Sequence, residues 1–361
     1  DTGEYPNNSR YVRVKQVLTP TPEYLDNNGL AKAKYTSSIP YTSTGVFGGA
    51  VGEITSSADN KFYNDISNTN TQGVRASDYS TAIDLLKNKD AYQYNFITVP
   101  GLIDNSTYST HVTVLSTLIS NIQDRGDSMV ILDNATYGDN VSTVVTAGAT
   151  RDTSYAASYY PWIMTLDPNS GNSVWVPPST MIPSVYAFND SVSDPWTAPA
   201  GINRGVLSTA IKAERILTQN SRDTLYQGNI NPIATFQSSG VTVFGQKTLQ
   251  KKKSALDRVN VRRLLIELKT FISQIAETLV FEPNTVNTRN NFLSQVNPYL
   301  STVQQRQGLT SFKVVMDESN NTSTTIDNNE LVGAIYLQPT RTAEFIRLDF
   351  NVLPTGATFP S

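Results

Sequence analysis

The chain has 361 residues, which is enough for two or three domains with a sizeable hydrophobic core. Charged residues make up 16% of it and the formal net charge is −3, so these totals do not favour nucleic acid as a partner. There is no cysteine, which excludes disulfide bonds and thiolate metal sites. The sequence shows no signal peptide and no apolar run long enough to cross a bilayer, so we do not expect membrane insertion.

The first 85 residues are polar and rich in turn-forming residues. Short β-prone pieces stand between clusters of Pro, Asn and Gly, and they predict a β-rich segment over residues 1–85 that is a whole or a partial domain. Near its end, Ser77–Ser80 precede Ile83 and Leu85, which is the pattern of a helix N-cap followed by a short amphipathic helix.

Residues 86–240 are predicted to form a middle α/β domain. Apolar runs at 95–99 and 129–132 flank an amphipathic stretch that stops at Gly126. A short, continuous apolar run is typical of a parallel strand buried on both faces. This part of the chain is therefore expected to be a βαβ unit.

The stretch from residue 155 to 200 is dense in proline and tryptophan. Because proline interrupts a helix interior, seven prolines in this stretch predict extended chain and turns without a long helix. Trp162, Trp175 and Trp196 are expected to bury large areas against neighbouring elements.

Residues 241–361 are predicted to form a C-terminal α+β domain. Apolar residues recur every three or four positions from Leu256 to Leu279, which predicts a long amphipathic helix. A second helix is expected to bend at Pro298 and to be capped by Gly308. Strands are predicted near 312–316 and 331–337, and the polar run between them is expected to be a solvent loop over 319–329.

The last predicted strand is amphipathic. Its apolar face is formed by Ile346, Leu348, Phe350 and Val352. Such a strand near the end of the chain either pairs with the sheet edge of a neighbouring subunit or is an ordinary edge strand. The four residues are therefore candidates for an inter-subunit contact.

Few residues could form a catalytic centre, and no cofactor is expected. The only histidine is His111, which we expect to be a surface or partly buried helical residue rather than a member of a triad. Asp124, Asp127 and Asp133 offer a pair of carboxylates for glycoside hydrolysis, although a polar loop explains them better. In the stretch Gly240–Thr248 the two glycines have the spacing of a phosphate-binding loop, but Gln246 stands where that loop needs its lysine.

A basic cluster runs into the predicted long helix. At about 100° per residue, Arg258, Arg262 and Lys269 fall within a narrow arc beside the apolar stripe. The arc is either a solvated helix face or a basic stripe that meets an acidic partner surface. No aromatic residues are interleaved with these charges, so nucleic acid is a weaker interpretation.

Several short strings resemble the contractile tail sheath family of phages and related injection devices, and they occur in the family's order. They are Tyr159–Trp162, Val176–Ser179, Asp194–Gly201, Asn229–Ile233, Val243–Leu249, Val259–Leu264 and Phe281–Asn284.

The resemblance implies a middle sheath domain of subtilisin-like fold without a protease site, followed by a C-terminal sheath domain. It implies stacked six-fold rings of this subunit around an inner tail tube, with baseplate and tail terminator proteins as further partners. By the same analogy, the basic stripe becomes the candidate tube contact. The expected location is the phage tail of the virion, after assembly in the bacterial host cytoplasm.

The resemblance also suggests how the chain departs from the family. Residues 1–85 do not resemble the family's N-terminal arm strand and are expected to face outward. The chain is therefore expected to be a fragment without that arm. Two other interpretations stay open at this point: a secreted polysaccharide-active enzyme with paired carboxylates, and a passive surface-layer or adhesin protein.

Overall fold

A computed structural model of the chain describes residues 76–166, 171 and 173–344. The helices are α1 (Ala76–Leu85), α2 (Ser109–Arg125), α3 (Val141–Gly148), α4 (Ile182–Val192), α5 (Gln219–Gln227), α6 (Val259–Glu277), α7 (Val286–Gln305) and α8 (Ser323–Asp327). The strands are β1 (Phe96–Ile103), β2 (Met129–Asp133), β3 (Ala156–Tyr160), β4 (Ile163–Leu166), β5 (Ser173–Val176), β6 (Ala210–Ala213), β7 (Asn231–Phe236), β8 (Gly240–Val243), β9 (Leu309–Val315) and β10 (Ala334–Pro339).

The largest sheet has five strands in the order β1-β2-β3-β7-β8. The first four are parallel to their neighbours, and β8 is antiparallel to β7. The predicted βαβ unit is confirmed, since β1 and β2 are parallel and α2 connects them. The predicted short helix after Ser77 is present as α1.

Both faces of this sheet are covered, which explains why β2 is apolar at nearly every position. Val130 and Leu132 belong to one core cluster, which also contains residues of α2, α3 and α5. Met129 and Ile131 point to the opposite face and belong to a second cluster with α4 and the start of α6. A mixed α/β architecture is therefore confirmed for this part of the chain.

The prediction of extended chain and turns over 155–200 was partly wrong. Strands β3, β4 and β5 are present, but α4 follows them as a helix of 11 residues. Pro183 lies in the first turn of α4, where its missing N–H costs nothing, and Pro195 comes after the helix ends. Of the three tryptophans, Trp162 and Trp196 are buried and Trp175 is partly buried.

The C-terminal part is built on a pair of helices, α6 and α7, with the two-stranded sheet β10-β9. Helix α6 connects the two halves of the described chain. Val259 and Ile266 pack in the second cluster of the five-stranded sheet, whereas Leu264, Leu268 and Ile275 pack in a third cluster with α7 and β9. The predicted long helix is thus confirmed, with its apolar stripe divided between two cores.

Two local predictions for this part were wrong. The residue in the left-handed conformation after α7 is Gln307 (φ 63°), and Gly308 follows it. The Gly308 N–H donates to the Val303 carbonyl at 2.8 Å, so the helix ends in a Schellman turn with the glycine one place later than expected. The polar run 319–329 contains helix α8, because the Thr322 side chain caps the Thr325 N–H.

Within residues 76–344, leaving out 167–170 and 172, no helix is long and apolar enough to cross a membrane.

Candidate functional site

The three residues of the predicted basic stripe have different environments. Arg262 is 6% exposed, and its Nη2 donates to the Ser154 hydroxyl. Its guanidinium lies 3.9 Å from the centre of the Tyr155 ring. Burial lowers the pKa of Arg262, and the tyrosine raises it in part. Arg262 therefore joins α6 to the start of β3 instead of presenting its charge to solvent.

Arg258 immediately precedes α6 and forms an ion pair with Glu344. Its Nε donates to Glu344 Oε1 at 2.7 Å, and its Nη2 donates to Oε2 at 3.0 Å. This is the two-pronged geometry in which an arginine holds a carboxylate most firmly. A second carboxylate, that of Asp257, lies 3.1 Å from Arg258 Nη1.

Lys269 is the exposed member of the three. Its Nζ donates to the Arg125 carbonyl at the end of α2, at 3.2 Å. The structure therefore does not bring the three charges together as one exposed stripe. The tube contact through Arg258, Arg262 and Lys269 stays a prediction, and Lys269 is the exposed residue of the three.

Glu344 and Gln246 were not identified from the sequence. Gln246 is buried between β8 and α6, and its Nε2 donates to the Thr342 hydroxyl at 2.6 Å and to Glu344 Oε1 at 3.3 Å. Tyr226 lies alongside, close enough to Glu344 for a hydrogen bond. No sequence signal marks these contacts, since they join residues almost 100 positions apart.

His111 is fully buried, contrary to the expectation of a surface or partly buried residue. Its Nδ1 accepts a hydrogen bond from the Ile103 N–H at 3.1 Å, and its ring stacks on Tyr108 with 5.3 Å between the ring centres. In a catalytic triad Nδ1 donates to the orienting carboxylate, whereas here it accepts from a backbone N–H. His111 therefore secures the turn between β1 and α2.

The candidate carboxylates do not form a catalytic pair. Asp127 and Asp133 lie before and at the end of β2, so they are separated by roughly 20 Å at the rise of a β-strand. Glycosidases need a separation below about 10 Å. Asp127 is bound by Arg125 at 2.9 Å, and Asp124 is exposed. The carboxylate mechanism has no support in this geometry.

Asp133 is buried, and its carboxylate accepts two hydrogen bonds from Ser179. The Ser179 N–H donates to Asp133 Oδ1 at 3.0 Å, and the Ser179 hydroxyl donates to the other oxygen. Burial raises the pKa of Asp133 to about 7, with the two bonds from Ser179 acting in the opposite direction. Among the described residues, no cluster of three or more potential metal ligands surrounds this or any other carboxylate.

The two-stranded sheet β10-β9 has the features of an assembly surface. Its strands pair antiparallel, from Ala334 opposite Val315 to Pro339 opposite Leu309. In the described part of the chain, no third strand pairs with either one. The outer edge of such a pair is the place where a further strand can bind through backbone hydrogen bonds. The arm candidates Ile346, Leu348, Phe350 and Val352 lie outside the described residues.

Exposed apolar side chains lie close to this open sheet. Phe281 is fully exposed and has a left-handed backbone (φ 72°), which is unfavourable for an aromatic residue. Val280 is also exposed, and both residues line a groove with Met316, which follows β9, and Ile335 of β10. Exposed apolar surface and backbone strain in one loop are typical of a contact site.

Comparison with known proteins identifies the family of the chain. Residues 72–249 match the model of the phage tail sheath protein central domain, and residues 251–352 match that of the phage tail sheath C-terminal domain. The chain belongs to the phage tail sheath family.

Individual relatives agree with this assignment. A tail sheath protein of Vibrio phage KVP40 is 37% identical over 249 residues, which cover 67% of this chain and 35% of the relative. A tail sheath protein of Enterobacteria phage T4 is 40% identical over 185 residues, which cover 51% of this chain and 28% of the relative. The chain therefore spans about a third of the length of these curated relatives.

The fold is shared with a solved sheath structure. The sheath complex of an extracellular contractile injection system, PVC, in its contracted state has a TM-score of 0.64 and 24% identity. The match covers 77% of this chain and 75% of that one. The two chains therefore share their fold over the matched region.

Proposed function

We propose that this chain is part of a subunit of a contractile tail sheath. The subunits polymerise as stacked six-fold rings around an inner tail tube and then contract to drive the tube through the host envelope. The observation that carries the proposal is the open sheet β10-β9 in a chain that matches both sheath domain models. An open edge next to exposed apolar residues is suited to binding further copies of the same subunit.

The energy for contraction is proposed to come from interfaces between subunits. An extended sheath that holds its subunits in less favourable packing can move to a more favourable one, with each subunit moving as a rigid body. Helix α6 supports this behaviour, because it packs in the cores of both halves of the described chain and so resists their separation. No nucleotide hydrolysis and no reaction centre are required.

The finer assignments form part of the same proposal. The sheet domain is proposed to be subtilisin-like, the domain limits to be 86–240 and 241–361, and residues 1–85 to face outward. The inner tube, the baseplate and the terminator protein are the proposed partners, and Lys269 is the most accessible tube-contact candidate. Assembly is proposed to occur in the host cytoplasm, before the sheath becomes part of the virion.

Electron microscopy of the purified full-length subunit tests the proposal. We expect hollow cylinders with six-fold symmetry, in an extended form around tubes and in a shorter, wider form without them. Planar sheets would support a surface-layer protein instead. Turnover of a polysaccharide that is lost in Asp127→Asn would support the enzyme.

A further inference from the structure

A pocket of about 600 Å³ lies beside the start of α6 and has an excess of positive charge. Most of its wall comes from the loop between β8 and α6, from the first turn of α6 and from the chain just after β10. Five basic side chains line it, against two acidic ones. The basic residues are Lys247, Lys251, Lys253, Arg258 and Arg341, and the acidic residues are Asp257 and Glu344.

Both acidic side chains of the pocket are paired with the same residue, Arg258. Glu344 accepts two hydrogen bonds from Arg258, and Asp257 lies 3.1 Å from Arg258 Nη1. The other four basic side chains form no ion pair with any acidic residue of the described part of the chain. The positive charge of the pocket is therefore not neutralised by the residues around it.

One of these four side chains, Lys247, is half-buried in the wall. Its Nζ donates to the Tyr226 carbonyl at 2.6 Å and lies 4.5 Å from the centre of the Tyr226 ring. Neither contact neutralises the ammonium charge. Burial lowers the pKa of Lys247 and the charge of Arg258 lowers it further, while the nearby carboxylates raise it in part. An anion in the pocket would stabilise the charged form of this lysine.

The first turn of α6 adds to the positive potential. The helix has 19 residues, and the side chain of its N-cap residue, Arg258, makes no capping hydrogen bond. Asn260 and Val261 of the first turn line the pocket. The N–H groups at the start of a helix carry a partial positive charge and favour anions there. The helix thus strengthens a field that the basic side chains already produce.

The surroundings of the pocket favour a compact anion over an extended acidic peptide. Within the described part of the chain, none of the lining residues belongs to a strand, so the pocket offers no sheet edge with which a peptide backbone could pair. Lysine and arginine side chains bind phosphate oxygens through charged hydrogen bonds. The volume exceeds that of a single phosphate and lies in the range of small-ligand sites.

We propose that this pocket binds an oligophosphate, either free or as the phosphate chain of a nucleotide. Lys251, Lys253 and Arg341 bind its outer oxygens, and Lys247 binds it from the wall. The bound anion joins the lysine-rich loop before α6 to the chain after β10. This site does not depend on the proposed sheath function.

Calorimetric titration of the unassembled full-length subunit with sodium tripolyphosphate tests the proposal. One anion should bind per subunit, with an affinity that falls as the salt concentration rises. Lys251→Gln, Lys253→Gln and Arg341→Gln should each weaken binding by about tenfold, since each removes a charged hydrogen bond at an exposed position. Lys252→Gln is the matched control, because Lys252 is exposed in the same loop and does not line the pocket. It should bind as the unaltered subunit does.

Two further titrations identify the class of ligand. Tighter binding of ATP than of tripolyphosphate would assign the pocket to nucleotides, and the reverse would assign it to free oligophosphates. Hexaglutamate should bind at least about tenfold more weakly than tripolyphosphate, because the pocket has no sheet edge for its backbone. Tighter binding of hexaglutamate would overturn the proposal in favour of an acidic protein segment.

The proposal would also be overturned if tripolyphosphate did not bind, or if Lys252→Gln weakened binding as much as Lys251→Gln and Lys253→Gln. An equal loss in all three variants would show that the loop attracts anions only through its total charge. Cylinder formation is measured separately by electron microscopy, so the oligophosphate site and the sheath function can each fail without the other.

Discussion

The two sheets of the molecule differ in how much of their packing the chain itself supplies. The inner strands of the five-stranded sheet have neighbours on both sides, and its two faces are covered by separate core clusters. The sheet β10-β9 has two outer edges, and apart from the buried Leu309 its strands contain only exposed and partly buried residues. The first sheet is stabilised within the subunit. The second has two edges at which a further strand can pair.

The largest effect is expected from damage to the five-stranded sheet domain. Trp162 is fully buried, and its Nε1 donates to the Ala135 carbonyl at 2.9 Å. Trp162→Ala should lower the free energy of unfolding by about 3–5 kcal/mol, since it leaves a large cavity and an unpaired carbonyl. Denaturant unfolding measures this. Trp175→Ala, at a partly buried position, is the control and should cost about 1 kcal/mol. Equal costs would contradict the account.

The second expected effect is that the free energy of unfolding of the same domain depends on pH. The folded-state pKa of Asp133 is raised to about 7, so the folded protein holds this proton where the unfolded chain has lost it. The free energy of unfolding should therefore fall, by a few kcal/mol at most, as the pH rises from about 4 to about 7, and then level off.

Asp133→Asn should reduce this slope and leave the contributions of Asp194 and Glu214, whose pKa values burial also raises. Asp124→Asn, at an exposed position, should keep it. Denaturant unfolding at several pH values distinguishes the two variants, and an unchanged slope in Asp133→Asn would show that another group is responsible.

The third effect concerns the helix pair beneath the open sheet. A Cβ added at Gly308 would lie 2.7 Å from Val303 Cγ1 and 3.0 Å from the Trp196 ring. Gly308→Ala should therefore cost about 1–3 kcal/mol in thermal or denaturant unfolding. The matched control is Gly333→Ala, whose Cβ would make only an ordinary contact of 3.5 Å with Met316. A larger cost at Gly333 would contradict the packing described for this part.

The smallest effect on stability should come from the exposed loop beside the open sheet. Phe281→Gly relieves the left-handed backbone and should raise the free energy of unfolding by about 1 kcal/mol. Phe281→Ala keeps the strain and should leave stability nearly unchanged. If the Phe281 ring contacts a neighbouring subunit, both variants should assemble less well. Sedimentation of the full-length subunit would measure the extent of assembly. Normal assembly of both would remove Phe281 from the interface.

Most of the fold was predicted from the periodicity of the apolar residues. The spacing of apolar residues identified the βαβ unit and the long helix, because those patterns report which face of an element is buried. It missed α4, since a proline in the first turn of a helix looks the same in sequence as one that interrupts a helix. It also missed α8, whose helical start depends on a single threonine cap.

The environments of the candidate site residues depended on partners far along the chain. The spacing correctly placed Arg262 in the long helix, whereas Arg258 is the residue just before it. Neither partner was predictable, since Ser154 lies 108 positions from Arg262 and Glu344 lies 86 positions from Arg258. A helical arc shows which residues share a face and does not show what covers that face. His111 is a further case, since its partner is a backbone N–H with no sequence signature.

Hydrogen exchange of the full-length subunit, free and assembled, tests the comparison of the two sheets most directly. Amides of β9 and β10 should exchange much more slowly in the assembled state, because strands from other copies pair with their open edges. Amides of β2 and β3 should be protected equally in both states. Unchanged exchange of residues 309–315 and 334–339 on assembly would contradict the account.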